Sequence, residues 1–476
     1  MSTEPANGSP QNPYRVSAPA DILSLIPHTL GFEPRNSMVL MALHGGRLGA
    51  TLRLDLPAAP GAAGARAAYA LTAVRFLASD TGADGTLLAL YTDRPWTQPA
   101  RPPFRPLVRQ LENELDAAGL PVRDGWLVGP ETWRDYFCVR PDCCPWPGRP
   151  RSQISDSMLN TELVYRGSAF APSLDRAVAE SFPPAWPNAR EVLAAQARYA
   201  ANLRGRWCGH EQFSGTLGLW ADTIGDSGSA APGTIKDTRV PYTRVPGTRA
   251  GHSVPGARDA ELAGFLLAGL HDRTIRDTLL VMAAAGPRTA FDGAVANGLI
   301  RPQVHPPVFP GRVSSGGRGA GADEGPQDGD VLPAAGTEGV PCPIPAARAE
   351  GLPPAKPGAL PRDSEAAGSA AERFRGILVG ATAVPPDWAH LDAAHALFTD
   401  LVPVADGESA AALLSLLAWI EWARGRGSRA HLYLERALGA SAGYRLALLL
   451  QELLGTGMLP DWAGTPQHAW PGPTDT

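Results

Sequence analysis

Lysine is nearly missing from this chain: Lys236 and Lys356 stand against 40 arginines in 476 residues. The skew reads as GC-rich coding bias and not as arginine chemistry. Cysteine is scarce as well, five in all, too few for a disulfide scaffold in so long a chain. Long apolar runs are lacking. The longest, Ala410 to Ile420, is interrupted by Ser415 and stopped by Glu421, well short of the roughly 20 residues a bilayer span needs. No transmembrane segment and no membrane partner are expected. The polar opening MSTEPANGSPQNPYRV lacks the basic and apolar regions of a signal peptide, so the expected location is the cytoplasm. A formal net charge of -5 gives the whole chain no electrostatic reason to seek nucleic acid.

Signatures of chemistry are missing too. There is no G-x-S-x-G elbow, no Walker A loop and no H-E-x-x-H pair, and Asp80 to Gly85 lacks the acidic positions of a calcium loop.

What the chain has is periodicity broken by glycine and proline, 52 and 48 residues of each. At roughly 100–200 residues per domain its length implies two or three domains. Ile22, Leu23, Ile26 and Leu30 are spaced for a short helix. Met38 to Leu43 is apolar throughout, His44-Gly45-Gly46 is a turn, and Leu48, Ala50, Leu52, Leu54 and Leu56 alternate with polar positions, which predicts a hairpin with those five residues on one face. A helix over Ala62–Ser79 with a Leu71, Val74, Leu77 stripe, a strand over Thr86–Tyr91, a helix carrying Leu107, Leu111 and Leu115, and a strand over Val122–Val128 follow. The order β-β-α-β-α-β predicts a layered α/β domain with a mixed sheet.

Further on, helices are expected from Ala189 to Arg204 and from Glu261 to Ala285, the latter in two pieces around His271 and Asp272. Three more, Ala410 to Arg424, Arg429 to Leu438 and Tyr444 to Leu454, are separated by glycine-bearing turns. Ala430, Leu434 and Ala437 have the spacing of a tetratricopeptide-type hairpin, although one copy makes no array and a plain bundle is the simpler reading. Trp419 and Trp422 share a face and read as core.

Residues 221–258 hold 10 Gly or Pro in 38 positions and 302–362 hold 24 in 61, too little apolar surface to offset the entropy of ordering. Arg239, Arg244 and Arg249 recur every five residues in the first of these, as a solvated arm. The expected fold is thus an α/β mixed-sheet N-terminal domain followed by an all-α helical C-terminal domain, with two disordered Gly/Pro-rich inserts. The divisions run 17–220, a flexible basic loop at 221–258, a helical extension at 259–300, a disordered linker at 301–370, and tetratricopeptide-like helices at 371–465.

Two constellations could carry chemistry. Cys138, Cys143 and Cys144 lie within seven positions, and with Cys208 and His210 they could complete a tetrahedral zinc site. A Cys138–Cys143 redox bridge, or thiols with no role, are the alternatives. Asp55 and Asp93 follow strands, where ligands collect in open α/β sheets, and His28 could serve as a general base beside Asp55. Strand-end aspartates more often cap turns, and a histidine beside a turn is more often a local hydrogen-bonding group.

SAPADILSLIPHTLGFEPRNSMVLMALHGGRLGATLRLDLP, CVRPDCCPWPGRP, HDRTIRDTLL and LLAWIEWARGRGSRAHLYLERALGASAGYRLALLL resemble the domain of unknown function 4192 family of actinobacteria, over most of residues 17–460 apart from the two inserts. The resemblance implies that the α/β part and the C-terminal helices belong to one design, and it brings no activity. Without a catalytic motif and with a repeat-like helical end, the leading expectation is a non-catalytic adaptor that binds another protein. The competing one is a hydrolase acting on a phosphorylated small molecule through His28, Asp55 and Asp93. Whether the chain is an enzyme at all, and its oligomeric state, stay open at this point.

Overall fold

The computed structural model describes residues 16, 18–58, 61–228, 259–310, 362–465 and 467–472, with the side chains of 226–228 and 362–367 excepted. The arginine arm at Arg239, Arg244 and Arg249 and most of the stretch expected as a linker lie outside the described residues.

The N-terminal part runs α1 (Pro19–Leu30), β1 (Ser37–His44), β2 (Arg47–Asp55), α2 (Ala63–Leu77), β3 (Gly85–Tyr91), α3 (Arg105–Ala117), β4 (Val122–Val128), β5 (Thr132–Asp135) and β6 (Arg149–Pro150). The six strands form one sheet in the order β2-β1-β3-β4-β5-β6. Only β3 and β4 are parallel, and α3 supplies the crossover that a parallel pair requires. The sheet is mixed, as the opening hairpin implied. Side chains alternate across it. Met38, Leu40, Leu88, Leu90 and Leu127 pack with α2 and α3; Val39, Met41, Leu87, Ala89, Trp126 and Val128 pack with α1 on the other face. Both faces are covered, which explains why Met38 to Leu43 is apolar without a break.

The hairpin departs from simple alternation in one respect. Met41 pairs with Thr51, but Leu43 pairs with Leu48, so β2 carries one extra residue and bulges. A one-residue slip sends side chains to the opposite face. Leu52, Leu54 and Leu56 therefore pack toward α2 and α3, whereas Leu48 joins Leu43 on the α1 face. Gly49 sits at this bulge because a Cβ there would lie 2.6 Å from His44 Nε2 and would also strike Asp80. On α2 the buried residues are Ala70, Ala73 and Leu77, and Leu71 is exposed. Small residues let the helix lie close to the sheet, and the larger leucine is left outside.

The rest of the chain is helical: α4 (Ser152–Ser155), α5 (Met158–Tyr165), α6 (Leu174–Ala179), α7 (Ala189–Asn202), α8 (His210–Gly228), α9 (Ala260–Gly269), α10 (Arg273–Ala296), α11 (Arg362–Val379), α12 (Trp388–Leu401), α13 (Gly407–Ala423), α14 (Gly427–Ala440) and α15 (Arg445–Gly455). The break between α9 and α10 falls at His271 and Asp272, where the Asp272 side chain accepts from Thr274 N and caps α10. Helix α10 then runs past a kink at Gly286-Pro287, as proline inside a helix dictates. One apolar core extends from Val178 to Trp462. Its centre is α13, buried on every side from Ser409 to Ala423, the burial expected of a helix apolar all round. Trp419 and Trp422 are core, with ring centroids 6.1 Å apart, and Trp462 closes a cluster at 6.5 and 6.4 Å. Each indole N–H donates to a chain carbonyl: Trp419 to Leu378, Trp422 to Met458 and Trp462 to Ala423. Residues 301–310 run along α8, with Arg301 N donating to Cys208 O and Val308 N to Gln212 Oε1. Among the described residues no helix is long and apolar enough to cross a membrane.

Candidate functional site

A cleft of about 2130 Å³ opens between the α/β part and the helical body. One wall is the end of α1 with the edge strand β2; the other is the α13–α14 turn with α14 itself. Edge strands expose unpaired backbone groups and tend to be covered or charged; here Arg47 and Arg53 stand on that edge. The opposite wall supplies Arg424, Arg426 and Arg429 from the Arg424-Gly-Arg-Gly-Ser-Arg429 turn, where Gly425 takes φ 76°.

The turn is anchored from below. Glu421, 1 % exposed, accepts from Arg424 Nη1 at 2.7 Å and has His395 Nε2 at 3.2 Å and Arg426 Nη1 at 3.8 Å. Asp392 holds Arg424 Nη2. Burial alone would raise the Glu421 carboxyl, but the His395 contact and the Arg424 and Arg426 charges outweigh it and hold it down at about 2. Burial lowers Arg426 to about 10, against the pull of Glu421, which leaves it charged at neutral pH. Trp470, from the C-terminal tail, lies under the guanidinium groups of Arg426 at 4.2 Å and Arg424 at 5.1 Å, a cation–π arrangement that keeps both pointing one way. Arg429 reaches Gly31 at the end of α1, where the helix dipole favours a cation.

Most lining charges are matched: Glu33 with Arg151, Asp55 with Arg53, Asp80 with His44, Glu435 with His431, and Arg166 with Glu162. Among the described residues Arg35, Arg47 and Arg429 have no ion-pair partner, against Asp175 alone among the lining carboxylates. The cleft has a surplus of positive charge.

His28 and Asp55 both line this cleft; Asp93 does not. His28 Nδ1 lies 2.9 Å from Ser168 Oγ and Nε2 lies 3.0 Å from Asn160 Oδ1, so both ring nitrogens are engaged. Asp55 pairs with Arg53 at 2.5 Å. Asp93 is exposed beyond the end of β3, its backbone N–H facing Asn36 Oδ1 at 3.5 Å. The two aspartates flank the start of β1, where Ser37 pairs with Asp55 on one side and Tyr91 on the other.

The cysteines divide. Cys138, Cys143 and Cys144 gather in the loop after β5, their sulfurs all within 4.8 Å of one another. Hydrogen bonding from Cys143 is the main cause that lowers the Cys138 thiol, and burial pushes Cys144 up to about 12. Cys208 is elsewhere, buried in the helical body with its sulfur 3.6 Å from Asp272 Oδ1. His210 stands at the start of α8, its ring edge-on to Phe291 at 5.8 Å. Neither joins the three thiols. Sequence reasoning passed over the cleft arginines because the Arg424–Arg429 segment reads as a turn; its density of arginine was the visible signal.

The comparisons with known proteins give a family and no function. Searches of curated proteins and of solved structures return no match. A family model matches residues 19–292 and 378–461, well over half of the chain and both walls of the cleft, and the chain accordingly belongs to the family described as Domain of unknown function (DUF4192).

Proposed function

We propose that this chain is a non-catalytic, cytoplasmic binding protein that receives an acidic, extended segment of a partner protein in the cleft. The observation that carries the reading is the trio Arg35, Arg47 and Arg429, which have no ion-pair partner among the described residues and line one cavity. At about 2130 Å³ the cleft exceeds the roughly 300–1,000 Å³ usual for small ligands, which favours a chain segment. Surplus cations steer an acidic ligand and fix its register. No disulfide joins the four described cysteines, in keeping with a reducing compartment.

Fluorescence anisotropy with a labelled, glutamate-rich peptide tests this. Binding should weaken several-fold in Arg47→Ala and in Arg429→Ala, and a lysine-rich peptide of equal length should not bind. Equal binding by the arginine variants would remove the cleft from the account. A second reading, hydrolysis of a phosphorylated small molecule, has the support that His28 and Asp55 line the same cavity. It requires turnover of an aryl phosphate that His28→Ala abolishes; a rate no different from buffer disposes of it.

A further inference from the structure

The loop between β5 and β6 is built around three sulfurs. Cys138 Sγ lies 3.1 Å from Cys143 Sγ, and Cys143 Sγ lies 3.7 Å from Cys144 Sγ. Four thiolates at about 2.3 Å from a zinc ion stand about 3.8 Å apart at the corners of a tetrahedron. The Cys143–Cys144 edge is already of that size, the third edge is within 4.8 Å, and the short Cys138–Cys143 edge has to open by about 0.7 Å. A disulfide would use two of the sulfurs at about 2 Å and leave the third with no role.

The supports of the loop are polar and specific. Asp135 Oδ1 accepts from the backbone N–H groups of Phe137 and Cys138 at 2.8 and 2.9 Å. Cys144 N donates to Arg140 O at 2.9 Å. Arg134 donates to the carbonyl of Cys138 at 3.2 Å and Arg149 to that of Cys143 at 3.1 Å. Outer-shell hydrogen bonds of this kind orient the ligands of metal sites.

Arg134 is the second, independent observation. It is 4 % exposed, lies over the rings of Trp96 at 4.5 Å and Trp146 at 5.0 Å, and its Nε and Nη1 have no hydrogen-bond partner. A buried cation without an anion is costly. Three thiolates around a divalent ion carry a net charge of about -1, on a loop whose Cys138 carbonyl Arg134 already holds, and Arg140 Nη2 is 3.9 Å from Cys143 Sγ on the exposed side.

We propose that Cys138, Cys143 and Cys144 bind one thiophilic divalent cation, zinc by its preference for tetrahedral sulfur, with the fourth position open to solvent or to a ligand. Binding releases any proton still on the three thiols and changes no oxidation state.

The test uses the full chain, reduced, stripped with a chelator and titrated with zinc against a chromophoric chelator, and with cobalt(II) for its thiolate charge-transfer absorption. One equivalent should bind, with three-sulfur absorption in the cobalt form. Cys138→Ser, Cys143→Ser and Cys144→Ser should each weaken binding by at least about 100-fold, beyond the cost of losing an outer-shell partner. Cys208→Ser, whose sulfur faces Asp272 in the helical body, should change nothing. Arg134→Gln should weaken the metal while leaving the far-ultraviolet circular dichroism intact. No zinc bound by the reduced chain, or a Cys138–Cys143 disulfide in protein isolated under thiol trapping, would overturn the proposal, as would loss of zinc in Cys208→Ser.

Discussion

Glu421 and His395 meet 3.2 Å apart in the interior of the helical body, with 2 % and 19 % of their side chains exposed. Burial lowers His395 in spite of the carboxylate beside it, while Glu421 is held at about 2. Both shifts act in the same direction on acid stability. The folded state takes up a proton on His395 less readily than the unfolded chain, so stability falls as pH drops below about 6.5; it falls again below about 4.5, as unfolded Glu421 protonates, until the folded value near 2 is passed. The second step is worth about 3 kcal/mol. Urea unfolding at pH 7.5, 5.5 and 3.5 should show two successive losses, and His395→Gln should shrink the first. A flat profile between pH 7.5 and 5.5 would remove His395 from the account.

Glu421→Gln should cost about 3–5 kcal/mol in urea unfolding at pH 7, because it leaves the 6 % exposed Arg424 side chain with Asp392 alone. The double variant Glu421→Met/Arg424→Met should be less damaged than Glu421→Gln, since no charge is then stranded. Equal losses in the two would mean that packing, and not charge, is what Glu421 contributes.

Gly264 lies at the crossing of α9 over α7. A Cβ there would stand 2.5 Å from Ala195 Cβ and 2.7 Å from Gln196 N, and a backbone atom cannot rotate away. Gly264→Ala should destabilise by about 1–3 kcal/mol despite the better helix propensity of alanine. Gly218→Ala on α8, with nothing within 4 Å of its Cβ, should gain about 0.5–1 kcal/mol. Thermal denaturation of the pair separates the two effects.

Gly31 has φ 77° and a Cβ on it would lie 2.9 Å from Arg429 Nη2. Gly31→Ala should cost about 1 kcal/mol through the left-handed backbone, and it should weaken acidic-peptide binding about as much as Arg429→Ala does. Binding should also fall as salt rises from 50 to 300 mM, because exposed charges are screened beyond roughly 10 Å at 0.1 M. Salt-independent binding would point to an apolar contact instead.

How much was legible in advance follows from the range of the forces. The hairpin, α1, α3 and the parting of α9 from α10 at Asp272 rest on periodicity, capping and turn residues, all of which act within about a turn of chain. Alternation alone puts Leu48 on the wrong face because the bulge at Gly49 depends on Asp80 and His44, which approach only once α2 has packed. The same holds for α2, where alanines rather than Leu71 form the buried stripe. Of the candidate site residues, Cys138, Cys143 and Cys144 were found because they are neighbours in sequence. Cys208, 64 residues beyond Cys144, had no local reason to come or to stay away, and it packs against Asp272.

By itself, then, the order of residues determined the mixed sheet, the helical second half and the thiol loop, since each is written in short-range pattern. Only the tertiary structure decided that Gly31, Arg47 and Arg429 border one cleft and that Glu421 lies beneath it. These residues are brought together by burial of the apolar cores on either side, and apolar burial has no direction; where the remaining charges end up is settled only by how the two bodies pack.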